Sequence, residues 1–298
     1  MQALKNANGY DIPLVGLGTF PLQGEQMTSM VIESVKVGFR LIDTADDYRG
    51  ETGIGNAITK IKDATGLERK DLFIQTKISQ DNAHGDEPLE GIWFNRYSKY
   101  QKRHTVDEVV REKVLTSLRE LQTDYLDSLL IHYPFPGFYE EIWASMISLQ
   151  KEGLVRYIGV SNFHIEHMER LKLSGKVPEI NEIYISPIGI KEEDFQYAEN
   201  NGVQLMTYSP LMDMATNRMD MSVIRSIAEK YSKSPAQILL RWNIDRGSIP
   251  LPKTKTQKRL VDNFNIFDFS LSKEDVEQIN SLNYDNQMLV ESKQCPGI

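Results

Sequence analysis

Four residues of different type, an acid, a tyrosine, a lysine and a histidine, stand where short apolar runs give out. Asp43 follows Leu41-Ile42, and Tyr48 lies in the loop beyond it, ahead of Gly50-Glu51. Lys77 ends Phe73-Ile74-Gln75-Thr76, and His132 ends Leu129-Leu130-Ile131. Singly, each has an ordinary reading: Asp43 as a helix cap or turn former, Lys77 as a rim charge, His132 as a hydrogen-bonded core imidazole. Together they describe carbonyl chemistry. A tyrosine hydroxyl is a poor acid near neutral pH, but a lysine ammonium beside it favours the phenolate and eases proton donation. Asp43 would hold and neutralise that lysine, and His132 would donate a hydrogen bond to a substrate carbonyl oxygen. Such a group around a developing alkoxide suits carbonyl reduction, which still needs a hydride donor that no side chain supplies.

The second half of the chain offers places for one. Gly159-Val160-Ser161-Asn162-Phe163 sets two small hydrogen-bonding residues at a strand end, suited to gripping an amide. Tyr208-Ser209-Pro210-Leu211 adds an aromatic face and a turn. The segment from Pro252 to Arg259 collects Lys253, Lys255, Lys258 and Arg259 in a chain whose formal charge is -8. Barrels often hold phosphate at that point, and a solvated charge run is the plain alternative.

Residues this far apart meet only if the elements carrying them converge. Strand-like segments are expected at Leu14–Leu17, Leu41–Ile42, Leu72–Thr76, Ser128–Ile131, Val155–Val160, Ile180–Tyr184, Gln204–Tyr208 and Ser248–Leu251. Helical patterns alternate with them at Ser29–Val37, Thr52–Ile61, Val106–Leu121, Tyr139–Gln150, Ile165–Leu173, Glu192–Asn200, Met221–Tyr231 and Pro235–Arg246. Ser234-Pro235 and Ser272 read as helix starts, and Gly153, Gly202 and Gly247 as helix ends. The expected fold is a (β/α)8 TIM barrel with an N-terminal β-hairpin cap, the hairpin turning at Asn8-Gly9 within Leu4–Ile12. No linker divides the chain, so residues 1–298 are expected to form a single barrel domain. Residues 78–104 are too long for an ordinary loop and carry Trp93, Phe94, Tyr97 and Tyr100, as a substrate lid or as an excursion against the flank. The tail, 284–298, runs loosely to the end.

Hydrophobic content of 40% and charged content of 26% are ordinary for a globular protein of 298 residues. The acidic balance argues against a nucleic-acid or anionic-membrane surface. The one cysteine, Cys295, forms no internal disulfide, and no apolar leader or membrane span is evident, so a cytoplasmic location is expected. No metal is expected, and the protein is expected to be a monomer or weak homo-oligomer.

The stretch Gly38–Glu51, with Lys77 and His132 in matching settings, resembles the signature of the aldo-keto reductases, and the likeness covers nearly the whole chain. The resemblance implies NADPH/NADP+ as cofactor, a small-molecule carbonyl as substrate, and Asp43, Tyr48, Lys77 and His132 as the catalytic tetrad. It implies that Ser161 and Asn162 hold the nicotinamide carboxamide, that Tyr208 stacks on the ring, and that Ser209 and Leu211 lie along the pyrophosphate. Lys253, Thr254 and Arg259 match the family's 2'-phosphate site and Asn263 its adenine contact, with Thr19 also on the cofactor side. Phe20, standing where many relatives carry Trp, is expected to wall the substrate with Asp47 and Trp93, and the aromatic loop hints at bulky or aromatic carbonyls. A solvated loop acid is the plainer reading of Asp47. Glu182 stands where relatives carry a carboxamide-binding Gln; either it takes the carboxamide and favours NADP+ over NADPH, or it is salt-bridged or turned away. Asp262 replaces a common Glu near the adenine. Gly16-Leu17-Gly18 lacks the third glycine and the acid of a Rossmann fingerprint. Two rival readings are an NADPH-binding regulatory or sensor protein with little turnover, and a barrel isomerase or aldolase that uses the basic cluster for a sugar phosphate.

Overall fold

The computed structural model describes residues 11–79, 105–134 and 137–284. The expected hairpin turn at Asn8-Gly9, Trp93 with most of the long loop, and the tail with Cys295 lie outside the described residues. Eight strands, β1 (Gly16–Gly18), β2 (Leu41–Asp43), β3 (Phe73–Ile78), β4 (Leu126–Ile131), β5 (Val155–Ser161), β6 (Ile180–Tyr184), β7 (Gln204–Tyr208) and β8 (Ile249–Leu251), pair in parallel in sequence order. The Gly18 N–H donates to the Pro252 carbonyl at 3.2 Å, which brings the first strand against the last. A Cβ at Gly18 would stand 2.8 Å from the Leu251 carbonyl oxygen, so the close approach there admits only glycine. The result is a (β/α)8 barrel.

The helices are α1 (Gly24–Val37), α2 (Glu51–Thr65), α3 (Val106–Glu120), α4 (Tyr139–Lys151), α5 (Ile165–Lys172), α6 (Glu192–Asn201), α7 (Met212–Ala215), α8 (Ser222–Tyr231), α9 (Pro235–Asp245), α10 (Gln257–Phe264) and α11 (Lys273–Asn280). Caps set several of their ends. The Ser234 hydroxyl accepts from the Gln237 N–H while the Gln237 side chain takes the Ser234 N–H, with Pro235 in the first turn. α6 ends at Gly202 in the left-handed region.

Of the boundaries that differ from expectation, two bear on the site. α1 begins at Gly24 rather than Ser29, because Met27 and Thr28 are buried and the Thr28 hydroxyl donates to the Gly53 carbonyl at 2.8 Å, tying α1 to α2. β3 runs through Lys77 to Ile78 rather than ending at Thr76, because an inward lysine is tolerated where carboxylates await it.

The core has two shells. One lies between sheet and helices; the other fills the barrel interior with Ile12, Leu41, Phe73, Leu130, Ile180, Met206, Ile249 and Leu251. Burying each such side chain contributes about 1.5–3 kcal/mol, and together they form a dry floor. Side chains two apart on a strand point the same way, so this floor decides what stands above it. Asp43 lies above Leu41, Gln75 and Lys77 above Phe73, His132 above Leu130, Glu182 above Ile180, Tyr208 above Met206. Among the described residues no helix is long and apolar enough to cross a membrane.

Candidate active site

Directly above the floor sits a charge cluster drawn from three strands. The Lys77 Nζ donates to Asp43 Oδ1 at 2.5 Å and to the Thr44 carbonyl at 3.1 Å, and lies 3.2 Å from Glu182 Oε2. The Gln75 amide donates to Asp43 Oδ1 at 2.9 Å and to Glu182 Oε2 at 2.8 Å, so it bridges the same two acids from below. Burial pulls the Lys77 ammonium down, but Asp43 and Glu182 outweigh it and leave its pKa raised. The lysine is therefore a permanent cation. Glu182 faces this lysine, and its Oε2 is spent on Lys77 and Gln75. Thr19, deep beside β2, donates its hydroxyl to the Asp43 carbonyl at 2.7 Å.

Tyr48 closes a short 3-10 turn, Asp46–Tyr48, that follows β2. Asp46 pins the turn: it accepts from the Ser79 N–H at 2.9 Å and pairs with Lys113 at 2.9 Å. The Tyr48 ring lies 5.5 Å from the Lys77 Nζ, 5.1 Å from the Phe20 ring and 5.7 Å from the His132 ring, measured to centroids. Burial pushes the Tyr48 hydroxyl pKa up; Lys77 draws it down, and Asp43, Glu182 and Asp47 push it up again. The Lys77 field has the sign expected of it, but burial, the largest influence, together with the neighbouring acids leaves the pKa raised.

His132 is buried, with its Nδ1 2.6 Å from the Ser79 hydroxyl and 3.7 Å from Asp47 Oδ1. Asp47 is not a solvated loop acid, for its side chain is only 11% exposed and turned toward the imidazole. Ser79 and Gln75 escaped the sequence reading. Both continue the inward parity of β3 through Phe73, Gln75 and Lys77, which was the signal available for them.

Across the barrel mouth, Ser161 donates its hydroxyl to the Glu182 carbonyl at 2.8 Å, and the Asn162 amide donates to the His132 carbonyl at 3.1 Å. The Tyr208 hydroxyl donates to Asn162 Oδ1 at 2.9 Å, which ties the ends of β4, β5 and β7 together. Asn162 and Ser209 both have left-handed backbones, with φ of 61° and 50°, so each turns the chain sharply as it leaves its strand. Leu211 is partly buried just before α7. After β8, Lys253, Lys255, Lys258 and Arg259 are exposed around the start of α10, with Thr254 and Asn263 buried beside them. Among the described residues these four cations enter no ion pair, and unneutralised cations beside a hydroxyl and an amide have the chemistry of a phosphate monoester site. The residues present fit a dinucleotide bearing an extra phosphate.

The model described as the aldo/keto reductase family matches residues 14–284. The methylglyoxal reductase DkgA of Escherichia coli K12 is 35% identical over 297 residues, covering 99% of this chain and 98% of its own. The glyoxal reductase of Bacillus subtilis 168 is 35% identical over 289 residues, covering 96% of this chain and 95% of its own. Among solved structures, the Bombyx mori aldo-keto reductase in complex with NADP superposes with a TM-score of 0.81 at 31% identity, covering 98% of this chain and 96% of that one.

Proposed function

The chain belongs to the aldo/keto reductase family of oxidoreductases, and from that premise we propose that it is an NADPH-dependent reductase of aldehydes or ketones with Tyr48 as its general acid. The observation that carries this reading is the buried Asp43–Lys77 pair beneath Tyr48, with His132 at the tyrosine's edge.

Bound, NADPH supplies a hydride to the carbonyl carbon. The side chains do the rest. Tyr48 holds the proton that goes to the carbonyl oxygen, and the Lys77 cation lowers the cost of the phenolate left behind. Asp43 keeps Lys77 charged and in place. With the Ser79 hydroxyl donating to Nδ1, His132 keeps its proton on Nε2 and presents it to the carbonyl oxygen. Ser161 and Asn162 hold the carboxamide, Tyr208 stacks on the nicotinamide, and Thr19, Ser209 and Leu211 line the cofactor's path. Lys253, Thr254 and Arg259 hold the 2'-phosphate and Asn263 the adenine. Phe20 and Asp47 border the substrate. Glu182 belongs to Lys77 instead of the carboxamide.

The protein works as one barrel domain over residues 1–298, in the cytoplasm, on a small molecule rather than a nucleic acid or membrane. The names of the relatives point to small dicarbonyls as first substrates. The test is oxidation of NADPH, followed by its absorbance, with methylglyoxal, glyoxal and an aromatic aldehyde. Turnover with at least one is expected, and none with any of a broad carbonyl panel would overturn the reading.

A further inference from the structure

Lys77 is one cation held between two carboxylates. Its Nζ stands 2.5 Å from Asp43 and 3.2 Å from Glu182, and the three side chains are 0%, 6% and 2% exposed. Gln75 donates to both acids and brings no charge. With both carboxylates ionised, the cluster would keep an uncompensated negative charge on an apolar floor, away from water. A buried cluster of that kind relieves the cost by taking up a proton. Asp43 has the shorter contact with the ammonium, which leaves Glu182 as the carboxyl that takes it. On the reading of the site given above, we infer that Glu182 carries a proton in the working enzyme and is a positioning residue that governs, through the Lys77 cluster, how readily Tyr48 gives up its own.

The groups facing Glu182 come from every neighbouring element: Asp43 from β2, Tyr48 from the 3-10 turn, Lys77 and Gln75 from β3, Ser161 from β5, and Tyr208 from β7. Burial and Asp43 push the Glu182 carboxyl up, Lys77 pulls it back, and the outcome is a pKa of about 8. Below that pH Glu182 is neutral, and it does not oppose Lys77's field at Tyr48. Above it, ionised Glu182 adds another anion that pushes the Tyr48 hydroxyl further up. Proton donation then weakens, so reduction slows as pH rises through about 8. A glutamine at this position would be neutral at every pH and impose no such limb.

The test has two arms on the full chain. In infrared difference spectra, wild type minus Glu182→Gln, a protonated buried carboxyl is expected near neutral pH and is lost on titration through about pH 8. The subtraction removes other buried acids such as Glu51. In steady-state reduction, the wild type is expected to lose about tenfold in kcat between about pH 7 and about pH 9, and Glu182→Gln less than about twofold. Glu182→Asp, which keeps a carboxyl on a shorter arm, is expected to retain the limb with a moved midpoint. NADPH fluorescence titration checks that each variant is folded and loaded. Absence of the carboxyl signal, or the same alkaline limb in wild type and Glu182→Gln, overturns the inference. Failure of the wild type to oxidise NADPH with any carbonyl would instead bring down the proposed function, and the infrared arm would still decide Glu182.

Discussion

The Ser79 hydroxyl lies 2.6 Å from Nδ1 of His132, joining the residue just beyond β3 to the one just beyond β4. A hydroxyl donating there holds the imidazole in the tautomer whose Nε2 carries the proton, the arrangement that the proposed mechanism uses. With Ser79→Ala the Nδ1–H tautomer gains, since Asp47 stands 3.7 Å away as an acceptor. A fall of about tenfold in kcat is expected, the size of one hydrogen bond of roughly 1.4 kcal/mol, with NADPH affinity unchanged. Steady-state kinetics beside a fluorescence titration read both quantities.

Removing the Tyr48 hydroxyl leaves the ring and its contacts with Phe20 and Lys77 in place. Tyr48→Phe is expected to lower kcat by roughly 10²- to 10⁴-fold while NADPH binding stays close to wild type. Wild-type turnover in this variant would mean that another group supplies the proton.

Lys77→Met strands the ionised Asp43 as a buried acid without its cation. A loss of about 3–5 kcal/mol in unfolding free energy is expected from urea titration near neutral pH. Adding Asp43→Asn removes the stranded charge and should recover part of that loss. Equal stability of the single and double variants would show that the cluster is not the source.

Glu51 opens α2 and is buried, with its carboxyl accepting from the Thr76 and Ser117 hydroxyls at 2.7 and 3.0 Å. Burial is the largest influence on it and raises its pKa from 4.5 to about 7, against those two hydrogen bonds. The folded state thus holds this proton more tightly than the unfolded chain. Stability is greatest below about pH 4.5 on this account, declines as pH rises through about 7, and is fully reduced above it. Glu51→Gln should flatten that slope and stabilise the protein at about pH 8 by up to about 3 kcal/mol. Thermal unfolding of both proteins across this range is the check.

Arg259 stands exposed in the first turn of α10 and enters no ion pair among the described residues. Arg259→Ala is expected to weaken NADPH by about tenfold and NADH far less, since only the former carries the 2'-phosphate. Equal weakening of both would place the residue elsewhere on the cofactor, and paired fluorescence titrations distinguish the two.

The alternation of eight short apolar runs with helical patterns was legible in the sequence, because a buried parallel strand announces itself by composition and its helix by period and caps. So were Asp43, Tyr48, Lys77 and His132, since each terminates or follows such a run and barrel topology brings run ends together. What the chain order does not contain is which acids share a cation. Asp43 and Glu182 are far apart in sequence, yet both stand two residues above the same floor and both meet Lys77. The balance at Tyr48 followed from the fold as well: one lysine suggested an easy phenolate, and the closed barrel buries the hydroxyl, the largest influence on it, and sets acids beside it that leave its pKa raised. Strand identity depends on local spacing, whereas the charge a residue feels is a sum over everything within a few ångströms, and only the closed barrel fixes that sum.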